Sequence, residues 1–246
     1  MTTFIDLSHT IENGMITYKG LPPPVITDYL SRAGSRGHYD VGVEFQIGKI
    51  EMVANTGTYI DSPFHRYPDG KDLAALGLES IADLEGLIVR HVGSAERELE
   101  RAQFKDSRTL SLDSPTTSER AISIDDVAHL NVKGKAILFH TGWDMRWRTD
   151  AYANGSHPFL TAAAAEYLAG EGAALVGIDS FNIDDTSGGA RPVHSILLAQ
   201  SIPIVEHLCG LRELPNDGFR FFAVPPKVKA FGSFPVRAFA ILPSSS

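Results

Sequence analysis

The sequence predicts one α/β domain built around a mixed β-sheet. In the second half of the chain, short apolar segments typical of strands alternate with segments typical of helices, as in strands joined by helical crossovers. In the first half, strand-like segments follow one another with little helix between them. Neither an internal repeat nor a clear linker divides the 246 residues, so we expect residues 1–246 to form a single domain.

The first half of the chain contributes three predicted strands. Apolar and polar side chains alternate from Val43 to Val53, which is typical of a strand, and Gly48 is a candidate break that would make it a hairpin. Leucines in residues 72–84 predict one or two helical turns. Residues 94–103 favour either a solvated helix or a loop, and the Ser/Thr-rich residues 109–118 favour no regular element. The predicted strands cover residues 4–7, 43–53 and 86–92.

The second half of the chain carries the alternating pattern. Ser123, followed three residues later by Asp126, is typical of a capping box and predicts a helix that ends near Gly134. An alanine-rich segment predicts a helix over residues 160–170, and a short helix follows over residues 192–199. The predicted strands cover residues 135–139, 173–178, 202–205, 219–224 and 236–242.

Composition excludes several classes of protein. The chain is 43% hydrophobic and 21% charged, which is ordinary for a globular protein. A net charge of −8 argues against nucleic-acid binding, and no apolar run is long enough to span a bilayer. Cys209 is the only cysteine, so an internal disulfide or a zinc site made of several cysteines is excluded. The N-terminus lacks a signal-peptide pattern, and we expect a cytoplasmic protein without nucleic-acid or membrane partners.

Residues 55–65 form the stretch best suited to chemistry. They read Asn-Thr-Gly-Thr-Tyr-Ile-Asp-Ser-Pro-Phe-His and follow a predicted strand. Asp61 and His65 are suited to bind a metal or to move a proton, Gly57 lets the backbone pass close to another group, and Pro63 stiffens the segment. An Asp and a His four residues apart are also common on ordinary protein surfaces. From this stretch alone, that alternative stays open.

A second pair of polar residues lies in the apolar second half. His194 is near the start of a predicted helix, and Glu206, twelve residues later, follows a predicted strand. A buried carboxylate at that position needs a partner. A backbone amide or an arginine, such as Arg191 or Arg237, is the alternative to a functional partner. Alternation along a strand predicts that His207 points away from Glu206.

Residues 55–65 resemble the signature of the metal-dependent cyclase and kynurenine formamidase-like hydrolase family, H-x-G-T-H-x-D-x-P-x-H. Asn55 and Tyr59 stand where this family usually has two histidines. Further segments that resemble the family are residues 6–9, 141–143, 177–180, 194–214 and 227–238, so the similarity covers nearly the whole chain. Five positions of the signature match in register: Gly57, Thr58, Asp61, Pro63 and His65.

The resemblance implies a swivelling β/β/α fold with a barrel-like mixed sheet and outer helices. It also implies a homo-oligomer, either a dimer or a tetramer. The fullest sites of the family hold two metal ions, and one of those ions depends on the two histidines that this chain lacks. The ligand set of the other ion is complete as Asp61, His194 and Glu206. We therefore expect one ion, Zn²⁺ or Mn²⁺.

The first functional hypothesis is a metal-dependent hydrolase of a small N-formyl amide, cyclic amide or lactone. In this hypothesis His65 is the general base, Asp61 is a metal ligand at the reaction centre, and Tyr59 donates a hydrogen bond to the developing oxyanion. Asn55 is a candidate contact for the small-molecule substrate. Four aromatic residues are candidates for a wall that fits an aryl substrate, although such side chains are more often simple core: Phe64, Trp143, Trp147 and Phe181.

Two other hypotheses stay open. In one, the cluster of Asp61, His65, His194 and Glu206 transfers protons without a metal, with Tyr59 as acid, in a cyclisation, dehydration or isomerisation. In the other, the chain is a non-catalytic binder of a small molecule that kept the pocket and lost the metal. Inhibition by chelators separates the first two hypotheses, and ligand binding without turnover identifies the third.

Overall fold

The computed structural model of the protein describes residues 1–93 and 117–243. The predictions for residues 94–103 and for nearly all of residues 109–118 lie outside the described residues. The described helices are Arg32–Ser35, Thr117–Arg120, Ala162–Gly170 and Pro192–Ala199. The strands are β1 Thr3–Asp6, β2 Val25–Leu30, β3 Ile47–Glu51, β4 Tyr59–Asp61, β5 Leu84–Arg90, β6 Ala121–Ile122, β7 Ala136–His140, β8 Phe159–Leu160, β9 Leu175–Ile178, β10 Ile204–Glu206, β11 Phe219–Phe222, β12 Ser233–Pro235 and β13 Phe239–Leu242.

Nine of these strands form one mixed sheet, which confirms the predicted fold class. The order across the sheet is β1-β13-β11-β5-β7-β9-β10-β4-β12. The strands β5, β7, β9 and β10 run parallel to one another. The strands on either side of these four pair in antiparallel fashion. Two small ribbons, β2–β3 and β6–β8, lie outside the main sheet.

The sheet curls until its two ends approach each other. Strand β12 forms one edge and β13 lies next to the other edge, yet only residues 236–238 join them. Val236 N donates to Thr58 O, just before β4, at 3.0 Å, and Leu7 N, just after β1, donates to Ala238 O at 2.9 Å. Within three residues the chain thus passes from one end of the sheet to the other. This closure gives the barrel-like sheet that the family resemblance implies.

Side chains on the two faces of the curled sheet form two separate cores. On β7, Leu138 belongs to the inner core, whereas Ile137 and Phe139 belong to the outer core, which packs against the helices. Because both faces of the parallel strands are buried, these strands read as continuous apolar runs rather than as an alternating pattern.

Two helices cover the outer face of the sheet, and both lie close to the predicted ranges of residues 160–170 and 192–199. Thr161 caps Ala162–Gly170, because its hydroxyl accepts a hydrogen bond from Ala164 N at 3.3 Å. Pro192 starts Pro192–Ala199, where the fixed φ of proline suits the first turn. No helix within residues 1–93 and 117–243 is long and apolar enough to cross a membrane.

Two predicted elements differ from the structure, and a third agrees with it. The strand predicted over residues 43–53 is reduced to β3, and a turn from Asp40 to Val43, with Gly42 at φ +87°, occupies the start of the predicted range. Its partner β2 is not predicted from the sequence. The capping box at Ser123 is present but starts only the 3-10 helix Ile124–Asp126, since the chain soon turns back toward β7. The helical turns predicted over residues 72–84 are confirmed by the 3-10 helix Leu78–Ser80, and the last residue of this range, Leu84, begins β5.

We expect Phe219→Ala to lower the free energy of unfolding by about 3–5 kcal/mol. Phe219 is 1% exposed inside the curl, and its ring occupies the space beside Gly86, its cross-strand partner. Phe4→Ala is the control, since Phe4 is 64% exposed and its loss should change stability by less than about 0.5 kcal/mol. Urea unfolding followed by fluorescence measures both variants. Equal losses in the two variants would contradict this packing.

Candidate active site

Residues 55–65 follow a strand, as predicted, and they also contain a strand that the sequence did not predict. Tyr59–Asp61 form β4, which pairs with β10 on one side and with β12 on the other. Three residues are too few to show an alternating pattern in the sequence. Because Ile60 belongs to the inner core, Tyr59 and Asp61 point to the outer face. Glu206 lies directly opposite Tyr59 across the β4–β10 pair, so the two predicted parts of the site meet here.

Glu206 is a fully buried carboxylate at the end of β10. Its Oε1 accepts a hydrogen bond from Ile183 N at 2.7 Å. Its Oε2 accepts hydrogen bonds from the hydroxyl of Tyr59 and, at 3.2 Å, from that of Tyr18. Burial raises the pKa of Glu206 above its usual value, although the charge of His194 opposes the rise. Hydrogen bonds, rather than an arginine, are therefore the partners of this carboxylate.

His194 lies between three buried carboxylates. Its Nδ1 is 2.6 Å from Asp184 Oδ2, and its Nε2 is 3.6 Å from Asp61 Oδ2 and 3.7 Å from Glu206 Oε1. Asp184 also accepts hydrogen bonds from Val193 N at 2.8 Å and His194 N at 3.1 Å, so it fixes both the helix start and the ring. Burial alone would lower the pKa of His194. The hydrogen bond to Asp184 and the nearby carboxylates of Asp61 and Glu206 outweigh burial and raise that pKa to about 10.

Asp61 has one satisfied oxygen and one unsatisfied oxygen. The hydroxyl of Ser233 donates a hydrogen bond to Oδ1, whereas Oδ2 is buried without a hydrogen-bond partner among the described residues. An unsatisfied buried acceptor costs about 1–3 kcal/mol, and more when it is charged. A cation bound beside Oδ2 and His194 Nε2 would remove this cost.

His65 is oriented by Ser233 so that one ring nitrogen is free to act as a base. Its Nδ1 is 2.8 Å from Ser233 Oγ. The single proton of that hydroxyl goes to Asp61, so Ser233 must accept the hydrogen bond from His65 Nδ1–H. In the neutral ring Nε2 then carries no proton. The nearby backbone requires Gly232, because a Cβ there would lie 2.6 Å from His65 Cα.

Behind the carboxylates, three phenols and an imidazole form a buried network. The hydroxyl of Tyr18 is 2.7 Å from that of Tyr59 and 3.0 Å from His207 Nε2, and the hydroxyl of Tyr152 is 2.7 Å from His207 Nδ1. Burial raises the pKa of all three tyrosines and lowers the pKa of His207, so these groups stay neutral. The prediction that His207 points away from Glu206 is wrong. His207 has φ +55°, which breaks the alternation, and both residues contact the Tyr18 hydroxyl.

A cavity of about 530 Å³ opens onto these groups, which is within the range of small-molecule sites. Asp61 is fully buried and is not part of the cavity wall. The proton of the Tyr59 hydroxyl is directed at Glu206, so donation to a substrate oxyanion would require that bond to break. The wall includes five residues that the sequence singles out: Asn55, Tyr59, His65, His194 and Glu206.

The aromatic residues predicted to form a substrate wall do not line this cavity. Trp143 and Phe181 lie in a small buried cluster, in which the Phe181 ring contacts Tyr18 at a centroid distance of 4.8 Å. Trp147 is partly buried against the same cluster. Phe64 is half-buried in the 3-10 helix Pro63–His65, outside the wall. These side chains support the site through packing, while Tyr18 and Tyr59 supply the aromatic surface of the cavity.

The donor groups suit a divalent cation. Asp61, His65 and His194 each offer one ligand atom, and these atoms lie within 4.8 Å of one another. Glu206 Oε1 is 3.7 Å from His194 Nε2. Carboxylate and imidazole ligands suit Zn²⁺ and Mn²⁺, and the unsatisfied oxygen of Asp61 is the observation that favours an ion. Two sets of three ligands are therefore possible. Both contain Asp61 and His194, and the third member is Glu206 in one set and His65 in the other.

Sequence reasoning missed four residues that organise the site: Tyr18, Asn182, Asp184 and Ser233. Asn182 and Asp184 lie in the polar loop between β9 and the helix Pro192–Ala199, a position that could have identified them as candidates. Tyr18 and Ser233 carry no local signal, because they come close to Glu206 and Asp61 only when the sheet has closed.

Comparison with known sequences places this chain in a family. The family described as putative cyclase matches residues 5–185. A kynurenine formamidase of Geobacillus thermodenitrificans (strain NG80-2) is 28% identical over 240 residues, which cover 97% of this chain and 97% of the relative. A kynurenine formamidase of Bacillus cytotoxicus is 26% identical over 242 residues, which cover 96% of this chain and 95% of the relative.

Solved structures share the fold. A protein described as a potential metal-dependent hydrolase with cyclase activity superposes with a TM-score of 0.71 at 23% identity, covering 100% of both chains. Isatin hydrolase A from Labrenzia aggregata, bound to benzyl benzoate, superposes with a TM-score of 0.74 at 18% identity and covers 99% of this chain and 94% of its own. At these identities the comparison shows a common fold.

We expect Tyr18→Phe to lower the free energy of unfolding by about 1–3 kcal/mol, because the buried groups that share its hydroxyl lose a partner. Those groups are Tyr59, Glu206 and His207. Tyr29→Phe is the matched control, since Tyr29 is 78% exposed. Denaturant unfolding measures both variants. A Tyr18→Phe protein as stable as the control would show that this network does not stabilise the fold.

Proposed function

The chain belongs to the putative cyclase family, and on that premise we propose that it is a hydrolase of small amides, formamides or lactones. The names kynurenine formamidase and isatin hydrolase among its relatives support amide hydrolysis. One observation carries the proposal. His65, with a free basic nitrogen, lines the same cavity as His194 and Glu206, and Asp61 has an unsatisfied oxygen beside them.

We propose that one Zn²⁺ or Mn²⁺ ion binds to Asp61, His194 and Glu206. When bound, such an ion supplies Lewis acidity, which polarises a carbonyl group and makes water a better nucleophile near neutral pH. Asp184 holds Nδ1 of the His194 ring and so leaves Nε2 available as a ligand. Tyr59 donates to Oε2 of Glu206, which leaves Oε1 as the oxygen on the His194 side.

His65 transfers the proton in the proposed reaction. Its Nε2 takes a proton from the attacking water as the water oxygen bonds to the carbonyl carbon. The C–N bond of an amide, or the C–O bond of a lactone, then breaks, and His65 returns the proton to the leaving nitrogen or oxygen. A formamide yields formate and an amine. Ser233 accepts from Nδ1–H throughout, so only Nε2 changes its protonation state.

The cavity limits the substrate to a small molecule. Its volume of about 530 Å³ suits a single-ring compound or one of similar size. Asn55 is the amide side chain that we propose to contact the substrate, since it lines the cavity beside Tyr59. The proposed oxyanion role of Tyr59 requires the substrate to compete with Glu206 for its proton.

Two expectations about the whole protein stay predictions: a cytoplasmic location and assembly as a dimer or tetramer. The β2–β3 ribbon exposes large apolar side chains, including Tyr29 at 78% and Ile50 at 56%. Apolar surface of this kind is typical of protein–protein contacts. It supports the proposal of a homo-oligomer.

We expect His65→Ala to lower kcat/KM for an active formamide or lactone by about 10²- to 10⁴-fold, the usual contribution of a general base. Ser233→Ala should lower it by about 10- to 100-fold, because the ring orientation is lost, and Ser233→Thr should retain more activity because it keeps the hydroxyl. His38→Ala is the matched control, since His38 is exposed outside the cavity. Full turnover by a folded His65→Ala protein would rule out this mechanism.

We expect about one zinc or manganese ion per chain in protein purified without a chelating resin, because three ligands form one site. Asp61→Asn should lose most of that metal, whereas Asp125→Asn, at an exposed position, should keep it. Elemental analysis measures all three proteins. If the wild type holds no metal even after zinc or manganese is added back, the metal-dependent mechanism is wrong. Turnover without metal would then favour proton transfer by the same residues, and ligand binding without turnover would favour a binding protein.

A further inference from the structure

Two arginines line the cavity without a carboxylate partner. Arg66 and Arg191 are part of its wall, and neither guanidinium has a carboxylate oxygen within 4.0 Å in the described parts of the chain. Among the described residues, Arg66 donates to Ser195 Oγ alone, at 3.3 Å, and its guanidinium lies 5.4 Å from the centroid of the Tyr67 ring. Within the same part of the chain, Arg191 donates to backbone carbonyl oxygens alone, through Nη1. Both side chains therefore keep their charge available at the cavity.

Several arginines elsewhere on the surface are paired with carboxylates. Four of them pair with carboxylates of their own surroundings, at N···O distances between 2.6 and 2.9 Å: Arg36 with Glu44, Arg148 with Glu12, Arg220 with Asp83 and Arg237 with Asp6. The chain has more acidic than basic residues, with a net charge of −8, so local partners for arginine are plentiful. Two guanidinium groups without a carboxylate partner beside one cavity therefore concentrate positive charge there.

The fold holds both arginines next to the groups proposed for catalysis. Arg66 directly follows His65 at the end of the 3-10 helix, and Arg191 is the N-cap of the helix that carries His194. Ser195 connects the two, because its hydroxyl accepts from Arg66 Nε at 3.3 Å and donates to Arg191 O at 2.8 Å. A ligand that reaches both arginines is therefore also close to His65 and His194.

Arg191 is held in place before any ligand arrives. Its Nη1 is 2.8 Å from Gly188 O, 2.6 Å from Ala190 O and 3.4 Å from Asp185 O. Three carbonyl oxygens on one nitrogen restrict the rotation of the side chain, so less conformational entropy is lost when the rest of the guanidinium binds a ligand. The planar guanidinium suits a carboxylate, with which it forms paired, charge-assisted hydrogen bonds.

Charge is divided along the cavity. Glu206 lines one part of the cavity, and Asp61 and Asp184 are buried behind His194 there, whereas the arginines place positive charge on another part of the wall. On a protein of net negative charge, such a positive patch guides an anionic ligand to one place and in one orientation. The carbonyl to be hydrolysed would then face His65, and the anionic group would face the arginines.

We propose that Arg66 and Arg191 bind a carboxylate on the substrate and so select amides or formamides that carry a carboxylate over their neutral counterparts. This inference rests on the proposed hydrolase function and names the substrate class of the same site. The arginines are specificity-determining residues, and the hydrolysis itself follows the steps described for His65.

The test compares matched substrates. The 2-, 3- and 4-formamidobenzoates are paired with the corresponding formamidobenzamides, which have the same shape without the charge, and release of formate is measured for each. We expect the wild type to prefer the best carboxylate by about 10- to 100-fold in kcat/KM, the range given by charge-assisted hydrogen bonds. Arg66→Gln and Arg191→Gln should each reduce this preference about tenfold or more.

Conservative and distant variants complete the test. Arg66→Lys and Arg191→Lys keep the charge without the planar fork, so they should retain part of the preference. Arg220→Gln is the matched control: this arginine pairs with Asp83 outside the cavity wall, and its loss should leave the preference of the wild type unchanged. The preference of the wild type should also weaken as salt concentration rises.

Direct binding separates failure of this inference from failure of the proposed function. Calorimetry measures the affinities of benzoate and benzamide for the wild type and the glutamine variants without any need for turnover. Selective binding of benzoate that depends on both arginines, with no hydrolysis of any formamide, amide or lactone tested beside it, would support the anion site and overturn the hydrolase. Hydrolysis with equal preference for carboxylate and carboxamide, and no selective binding of benzoate, would keep the hydrolase and overturn the anion site.

Discussion

The burial of three carboxylates around one imidazole is the constraint on which the rest of the site depends. Asp61, Asp184 and Glu206 are fully buried, and all three lie within 4 Å of ring nitrogens of His194. Three negative charges that are buried this close together must be stabilised by hydrogen bonds, a proton or a cation. Backbone amides and phenols satisfy most of the oxygens. The one that stays unsatisfied, Asp61 Oδ2, marks where a cation has most to contribute.

Closure of the sheet makes this concentration of charge possible. The site lies on the outer face of β10, β4 and β12, three adjacent strands that come from distant parts of the chain. The link over residues 236–238 ties β12 to β13 and thus to the far side of the sheet. Ser233 on β12 can then reach both Asp61 and His65. A rigid, doubly packed scaffold behind these strands keeps the groups at hydrogen-bond distance.

In this site the phenol of Tyr59 stands at a position where the family signature has histidine. Tyr59 replaces a histidine of the signature and donates to Glu206, and Tyr18 and His207 extend the contact into a neutral network. A neutral phenol offers a proton where a histidine would offer a lone pair. The exchange gives Glu206 fixed donors on one oxygen and leaves the proposed ligands Asp61, His194 and Glu206 in place. A single-ion site is consistent with this chemistry.

The sequence by itself determined the mixed α/β class, the two outer helices predicted over residues 160–170 and 192–199, and the residues with reactive side chains, because apolar runs, helix signals and the 55–65 motif are local. It could not determine that residues 59–61 form a strand or that residues 43–46 do not. Only the tertiary structure decided which groups meet. The contacts of Tyr18 with Glu206 and of Ser233 with Asp61 join residues 188 and 172 positions apart, and the orientation of His207 depends on a single positive φ. Such contacts follow from the closure of the sheet, which no local pattern encodes.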